Sequence, residues 1–224
     1  MSSSTSELEK EFELERMVLF SDAVFAIAIT LLIIEIKYPE VPKGASNAEL
    51  WILFKPTIIG FLAFILSFYF VSLLWSRHLE VFKYLRTYNN GVIFFNLLFL
   101  FFVVCFPFTA SGLEHYLPSF LLPIYIYFIN IALVFLSQFA LCDYIFRRRE
   151  NLSKTGYDME KKYIFLKSKY LAIALAITVC IILTLSFLFP AKSAKILMGI
   201  YAFPIMMVFL KRRLKKYKPS KIKE

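Results

Sequence analysis

The chain is organised by long apolar runs. Crossing the ~30 Å hydrocarbon core of a bilayer takes about 20 apolar residues in a helix. This sequence supplies such runs at 17–36, 52–75, 91–111, 120–141 and 170–189. A sixth, 196–210, is shorter, and residues 190–195 leave room only for a tight turn before it. Lipid offers no partners to exposed backbone groups, so runs of this kind close their hydrogen bonds within helices. With 59% hydrophobic residues and 26 Phe among 224, no soluble segment is large enough to hold an independent active site. The expectation is an all-α polytopic membrane protein with six transmembrane helices, forming one domain over residues 1–224. There is no second Phe-Ser-Asp, and hence no sign of a tandem duplication.

Basic residues near the ends of membrane helices stay on the cytoplasmic side. Six spans place the N-terminus, the 2–3 connection, the 4–5 connection and the C-terminus together. These carry 2, 3, 8 and 8 Lys and Arg, 21 of the 26 in the chain. The opposite side has only Lys37, Lys43, Lys55, Lys192 and Lys195. Both termini are therefore expected in the cytoplasm. An odd number of spans would split the two large basic segments across the membrane, so the asymmetry also supports the sixth.

The net charge of +10 has the same local origin. Arg147-Arg148-Arg149 and the 211–223 tail both flank expected membrane exits, where basic clusters fix orientation and attract anionic headgroups. No nucleic-acid-binding module is visible, and no nucleic-acid partner is expected. Cys105, Cys142 and Cys180 lie in or beside apolar segments at spacings that fit neither a disulfide framework nor a zinc site. No metal or other cofactor is expected. Residues 1–15 carry the wrong charge for the n-region of a signal peptide. Ser6 and Glu9 match a capping box, so the first helix is expected to begin near Glu7, below the membrane. The longest polar segment, 143–169, is expected to be a partly helical linker.

An ionisable residue at membrane depth is costly and by default marks a functional site with a partner to be found. Asp22 sits about two turns into the first apolar run, too deep for a flanking charge. Span 1 runs outward, span 2 inward and span 3 outward again. Ser21 and Asp22, Trp75 and His78, and Asn96 thereby reach one level near the inner surface. Trp75 and His78 are three residues apart and share a helix face. Two readings follow: a hydrogen-bonded knot tying spans 1, 2 and 3 together, or a proton relay through Asp22 and His78.

At about 100° per residue, Phe20, Ile27, Leu31 and Ile34 fall within about 40° of one line, with Thr30 about 60° to one side. Asp22 is about 140° from Ile27, so if one face of span 1 lines something, Asp22 points toward its own subunit. Periodicity does not choose between a lining face, a core face and a lipid face for Ile27, Leu31 and Ile34.

The motif Arg16-x-x-x-Phe20-Ser21-Asp22, followed by Ala26-Ile27-Ala28-Ile29-Thr30-Leu31-Leu32, resembles the endosomal and lysosomal potassium channel family (transmembrane protein 175) and its bacterial homologues. Trp75-x-x-His78-x-x-x-Phe82 and the Asn96…Pro107-Phe108 stretch resemble that family's spans 2 and 3. Spans 4 to 6 resemble it only in length and hydropathy. A single set of six spans is the prokaryotic arrangement, which implies the inner membrane of a prokaryotic cell.

The resemblance implies a cation channel whose pore is lined by span 1 from each of four subunits, a four-fold symmetric homotetramer. It lacks the usual potassium-channel selectivity loop, and here there is no Thr-Val-Gly-Tyr-Gly and no re-entrant segment. Ile27, Leu31 and Ile34 would be successive apolar constrictions, Ile27 the narrowest, with the Thr30 hydroxyl beside them. Arg16, Ser21, Asp22, Trp75, His78 and Asn96 would form the supporting hydrogen-bond network. Helical extrapolation puts Arg16 near the pore-facing line at the inner mouth, where it would repel cations; it turns into the network or pairs with the acidic N-terminal segment.

Apolar rings gate by dewetting. With no carboxylate ring on the pore face, a modest preference for potassium over sodium is expected. A proton-coupled transporter or proton-conducting channel would instead use Asp22 and His78 directly, but paired Gly/Pro-interrupted helices that mark a midplane substrate site are missing. An enzyme is not expected: His78 and His115 fall on opposite sides of the membrane and cannot share a site. Glu35, at the outer end of span 1, either tunes cation entry or faces the interface with Lys37.

Overall fold

The computed structural model describes residues 2–113, 121–197, 212 and 214, with residues 2–11 described by backbone alone. Within them, five helices are long and apolar enough to cross a membrane. They are α1 (Ser2–Ile34), α2 (Asn47–Phe82), α3 (Asn90–Ser111), α4 (Leu122–Asp143) and α5 (Asp158–Leu188). Helix resumes at Ser193–Leu197 after a tight turn at Pro190–Lys192. Most of the expected sixth span, 196–210, lies outside the described residues, as does His115.

The helices outrun the apolar runs because hydropathy marks only the part meant for lipid. α1 begins at Ser2, so Ser6 falls inside the helix and does not start it; extending an existing helix by a few residues costs little. The working capping box is at the head of α2. There Glu49 N donates to Ser46 Oγ at 3.4 Å, while Ser46 N donates to Glu49 Oε2 at 2.8 Å. Gly44, at φ 85° in the turn before it, occupies backbone space that a side chain resists. α5 starts twelve residues ahead of the expected run at 170, absorbing much of the polar 143–169 segment.

α4 ends in a π-helical turn, Tyr144–Arg148. Asp143 closes it, accepting from Arg148 Nε at 2.8 Å and lying 3.8 Å from Arg147. A short antiparallel bridge then joins the 2–3 and 4–5 connections: Arg86 N donates to Leu152 O and Lys154 N to Tyr84 O, both at 2.8 Å. The lower part of α1 is tied to the same end, where the Tyr88 hydroxyl donates to Glu13 at 3.2 Å.

One apolar core runs through all five helices, built on Phe25 and Leu32 of α1, Leu74 of α2, Phe99 and Phe106 of α3, Phe135 of α4 and Leu171 of α5. A second, under the bridged connections, joins Val81, Leu85, Val92, Leu141, Ile145 and Leu152. Large apolar side chains such as Phe94, Phe101, Phe108 and Phe187 point outward. That pattern suits a bundle whose solvent is hydrocarbon.

Candidate functional site

α1 has two contrasting faces. Ser21, Phe25, Ala28 and Leu32 recur at intervals of four and three and are buried against α2 and α3. On the other side Ile27 is 58% exposed, Leu31 38% and Ile34 66%. Lipid is as apolar as leucine, so a span gains nothing simply by hiding apolar surface. What holds α1 to its neighbours is close packing and hydrogen bonds.

The strongest such link is a directional chain. The Ser21 hydroxyl donates to Met17 O at 2.9 Å, which leaves Ser21 Oγ as an acceptor. Asn96 Nδ2 donates to it at 2.9 Å. The Asn96 carbonyl oxygen therefore faces His78 Nε2, also at 2.9 Å, and this polarity puts the imidazole proton on Nε2. Ser21, His78 and Asn96 are all buried. Stacking fixes the ring: Phe82 lies 4.0 Å away between centroids and Phe99 5.7 Å. Helices α1, α2 and α3 each contribute one member.

Asp22 belongs to a separate pair. Trp75 Nε1 donates to its carboxylate at 2.9 Å, and Trp75 itself is 40% exposed. The expected single knot is thus two neighbouring links: Asp22–Trp75 joins α1 directly to α2, and the other joins them through Asn96 of α3. Arg16 stands apart from both: it is exposed, and among the described residues no bond of either link reaches it. Thr30 lies on the exposed side, its hydroxyl donating to the carbonyls of Ala26 and Ile27 at 3.0 and 2.9 Å. Glu35 and Lys37 are exposed at the end of α1.

One polar group escaped the reading of the sequence. Arg77, counted there among the cations of the 2–3 connection, is 7% exposed. It faces α4, its guanidinium 5.7 Å from the Phe135 ring centroid. Gln138 of α4 and Ser168 of α5 are buried beside it. The signal was present: Val71, Leu74 and Val81 set an inward stripe that passes through 77 and 78, provided the helix continues beyond Trp75. Among the described residues, no group of three His, Cys, Asp or Glu side chains gathers as a metal site would require.

A helical bundle with five helices long and apolar enough to cross a membrane, tied together by polar links inside, has the build of a membrane-embedded protein. Residues 16–107 match the family described as Endosomal/lysosomal potassium channel TMEM175. A potassium channel of Streptomyces collinus is 38% identical over 102 residues, 46% of this chain and 48% of that one. A potassium channel of Chryseobacterium sp. is 30% identical over 150 residues, 66% of this chain and 73% of its own length. The human endosomal/lysosomal proton channel TMEM175 is 35% identical over 106 residues, 45% of this chain and 21% of the human one.

The fold matches the crystal structure of a lysosomal potassium-selective channel TMEM175 homolog from Chamaesiphon minutus. The TM-score is 0.69 with 23% identity, covering 90% of this chain and 98% of that one. The chain belongs to the TMEM175 family. It spans about half the length of the Streptomyces relative that it matches, and the family match covers α1 from Arg16 onward, all of α2 and most of α3.

Proposed function

We propose that the chain is one subunit of a potassium-permeable cation channel, with α1 from four identical subunits surrounding the conduction path. The observation that carries this is the bare stripe of α1. Ile27, Leu31 and Ile34 are left uncovered by their own subunit, while the opposite face is fixed by the Ser21–Asn96–His78 chain. One helix per subunit encloses nothing, and two or three pack without a useful lumen. Four around an axis leave one, and closed symmetric assemblies are the rule for repeated subunits.

In this reading the stripe forms successive apolar rings, the narrowest at Ile27, that block ions by excluding water and open when α1 tilts or rotates. The Thr30 hydroxyl, engaged as a donor with its own backbone, offers its oxygen lone pairs to the path. Selectivity for potassium over sodium is modest, resting on ring diameter and partial dehydration. The basic end of the bundle faces the cytoplasm of a prokaryotic cell and meets anionic headgroups, following the charge asymmetry. A six-span subunit completes the design.

The name of the human relative favours a second reading, proton conduction. The bonding around the two candidate relay residues argues against routing protons through them. Asp22 is held by an indole N–H, a donor that accepts no proton in return. His78 is held by an amide, and its chain ends on the Met17 carbonyl. Neither link offers a continuous proton path.

Liposomes containing purified protein, loaded for potassium or sodium gradients, test the proposal. Potassium-favouring flux is expected, and Ile27→Asn is expected to raise it by hydrating the constriction. Flux that demands a proton gradient, or that ignores Ile27→Asn, would favour the transporter reading.

A further inference from the structure

Between α2, α4 and α5 lies a small, partly open cavity lined by Arg77, Gln138 and Ser168 and by the Glu80–Lys167 ion pair (2.9 Å). It offers about 10 Å³ to the centre of a water molecule, and about 10–15 Å³ of such space holds one water. Three atoms on its lining residues are buried without a hydrogen-bond partner: Arg77 Nε, Gln138 Oε1 and Ser168 Oγ. Each belongs to a side chain more than nine-tenths buried. Leaving a buried polar atom unpaired costs about 1–3 kcal/mol, so three around one void call for a common partner.

Their polarities identify it. Arg77 Nε carries a hydrogen and only donates. Gln138 Nε2 donates to Leu74 O at 3.3 Å, so the amide's acceptor oxygen is left facing elsewhere. Flipping the amide would set two carbonyl oxygens against each other. Ser168 Oγ both donates and accepts. A halide or phosphate would meet the Gln138 oxygen, and a cation would meet the guanidinium. A phosphate headgroup is also too large for the space.

We infer that this cavity binds a single water molecule, which accepts from Arg77 Nε, donates to Gln138 Oε1 and exchanges a hydrogen bond with Ser168 Oγ. The water joins α2, α4 and α5 at the level where the adjacent residue, His78, joins α2 to α3 and α1. The helices outside the family's matched segment are thereby anchored to the helix that supports the stripe on α1. This holds whichever ion the protein conducts, since it concerns hydration within one subunit.

A density map of the assembled protein at a resolution that shows ordered water tests the site. A peak within hydrogen-bonding distance of all three atoms is expected in each subunit. Its absence, with the side chains in place, overturns the inference, as does a bromide anomalous peak at that position in crystals soaked with the halide. Melting temperature gives a second readout. An unhydrated hydroxyl is lost at no cost, whereas one bonded to a fixed water is not. Ser168→Ala is expected to lower Tm by about 2–4 °C, and by more than Ser186→Ala, whose hydroxyl is likewise buried without a partner but does not line this cavity. An equal or smaller fall for Ser168→Ala overturns the inference.

Discussion

His78 and Arg77 are consecutive residues of α2, about 100° apart on the helix, and they look into opposite halves of the bundle. On the His78 side, imidazole Nε2, amide and hydroxyl are linked at 2.9 Å to one another and to the Met17 carbonyl, and His78 Nδ1 alone of that chain is buried without a partner. On the Arg77 side, three buried atoms find none. The more completely a buried polar network is satisfied within the protein, the more it rigidifies and specifies one packing. The first half is the family's matched segment, residues 16–107, and it carries the helix proposed to line the path. Close control of α1 is needed there. The second half needs only to hold on.

If that contrast is right, the largest loss comes from breaking the closed side. Asn96→Leu removes a donor to Ser21 and an acceptor from His78 at once; His78 Nε2 is left buried and unpaired, while Ser21 keeps its bond to the Met17 carbonyl. The expected cost is about 1–3 kcal/mol for the orphaned imidazole N–H. Thermal unfolding and the fraction of assembled protein measure it. A variant as stable as the parent would mean that the short distances at Asn96 carry no energy.

Asp22→Asn is the next step down. An amide oxygen still accepts from Trp75 Nε1, but without the charge that strengthens the bond, a loss of about 1 kcal/mol. Light scattering after gel filtration is expected to show fewer assembled oligomers. Normal assembly with flux abolished would instead make Asp22 part of the conduction path, and the contrast between a supporting face and a lining face of α1 would fail.

The closed side was legible in the sequence because its members stand out against hydrocarbon. An Asp and an Asn in apolar runs, and a His just past the end of one, have few bland explanations, and alternating spans bring them to one depth. The 100° step grouped Ile27, Leu31 and Ile34 and set Asp22 apart from them, but it did not choose which face of α1 is buried. The sequence did not separate Asp22–Trp75 from the Ser21–Asn96–His78 chain, because which hydroxyl or carboxylate an amide meets depends on helix rotation. Arg77 was misread for a different reason. Hydropathy ends span 2 at Trp75, and a basic residue just past that point looks like a loop cation obeying the charge rule. Only the continuation of α2 to Phe82 turns it inward. Gln138, inside an apolar run, was a visible clue to the same cluster.

The smallest effect expected is at the mouth of the Arg77 cavity. Glu80 and Lys167 meet at 2.9 Å, but their side chains are 41% and 29% exposed, and a pair so open to solvent is worth about 0–1 kcal/mol. A double-mutant cycle with Glu80→Gln and Lys167→Met is therefore expected to give a coupling below about 1 kcal/mol that shrinks further as salt is added. Glu80 also lines the cavity that holds Arg77. If Glu80→Gln alone costs clearly more than the coupling, the excess measures how far the buried guanidinium relies on that carboxylate as well as on water. A cost confined to the pair leaves Arg77 balanced by hydration and by the face of Phe135, which is the arrangement the orphaned atoms imply.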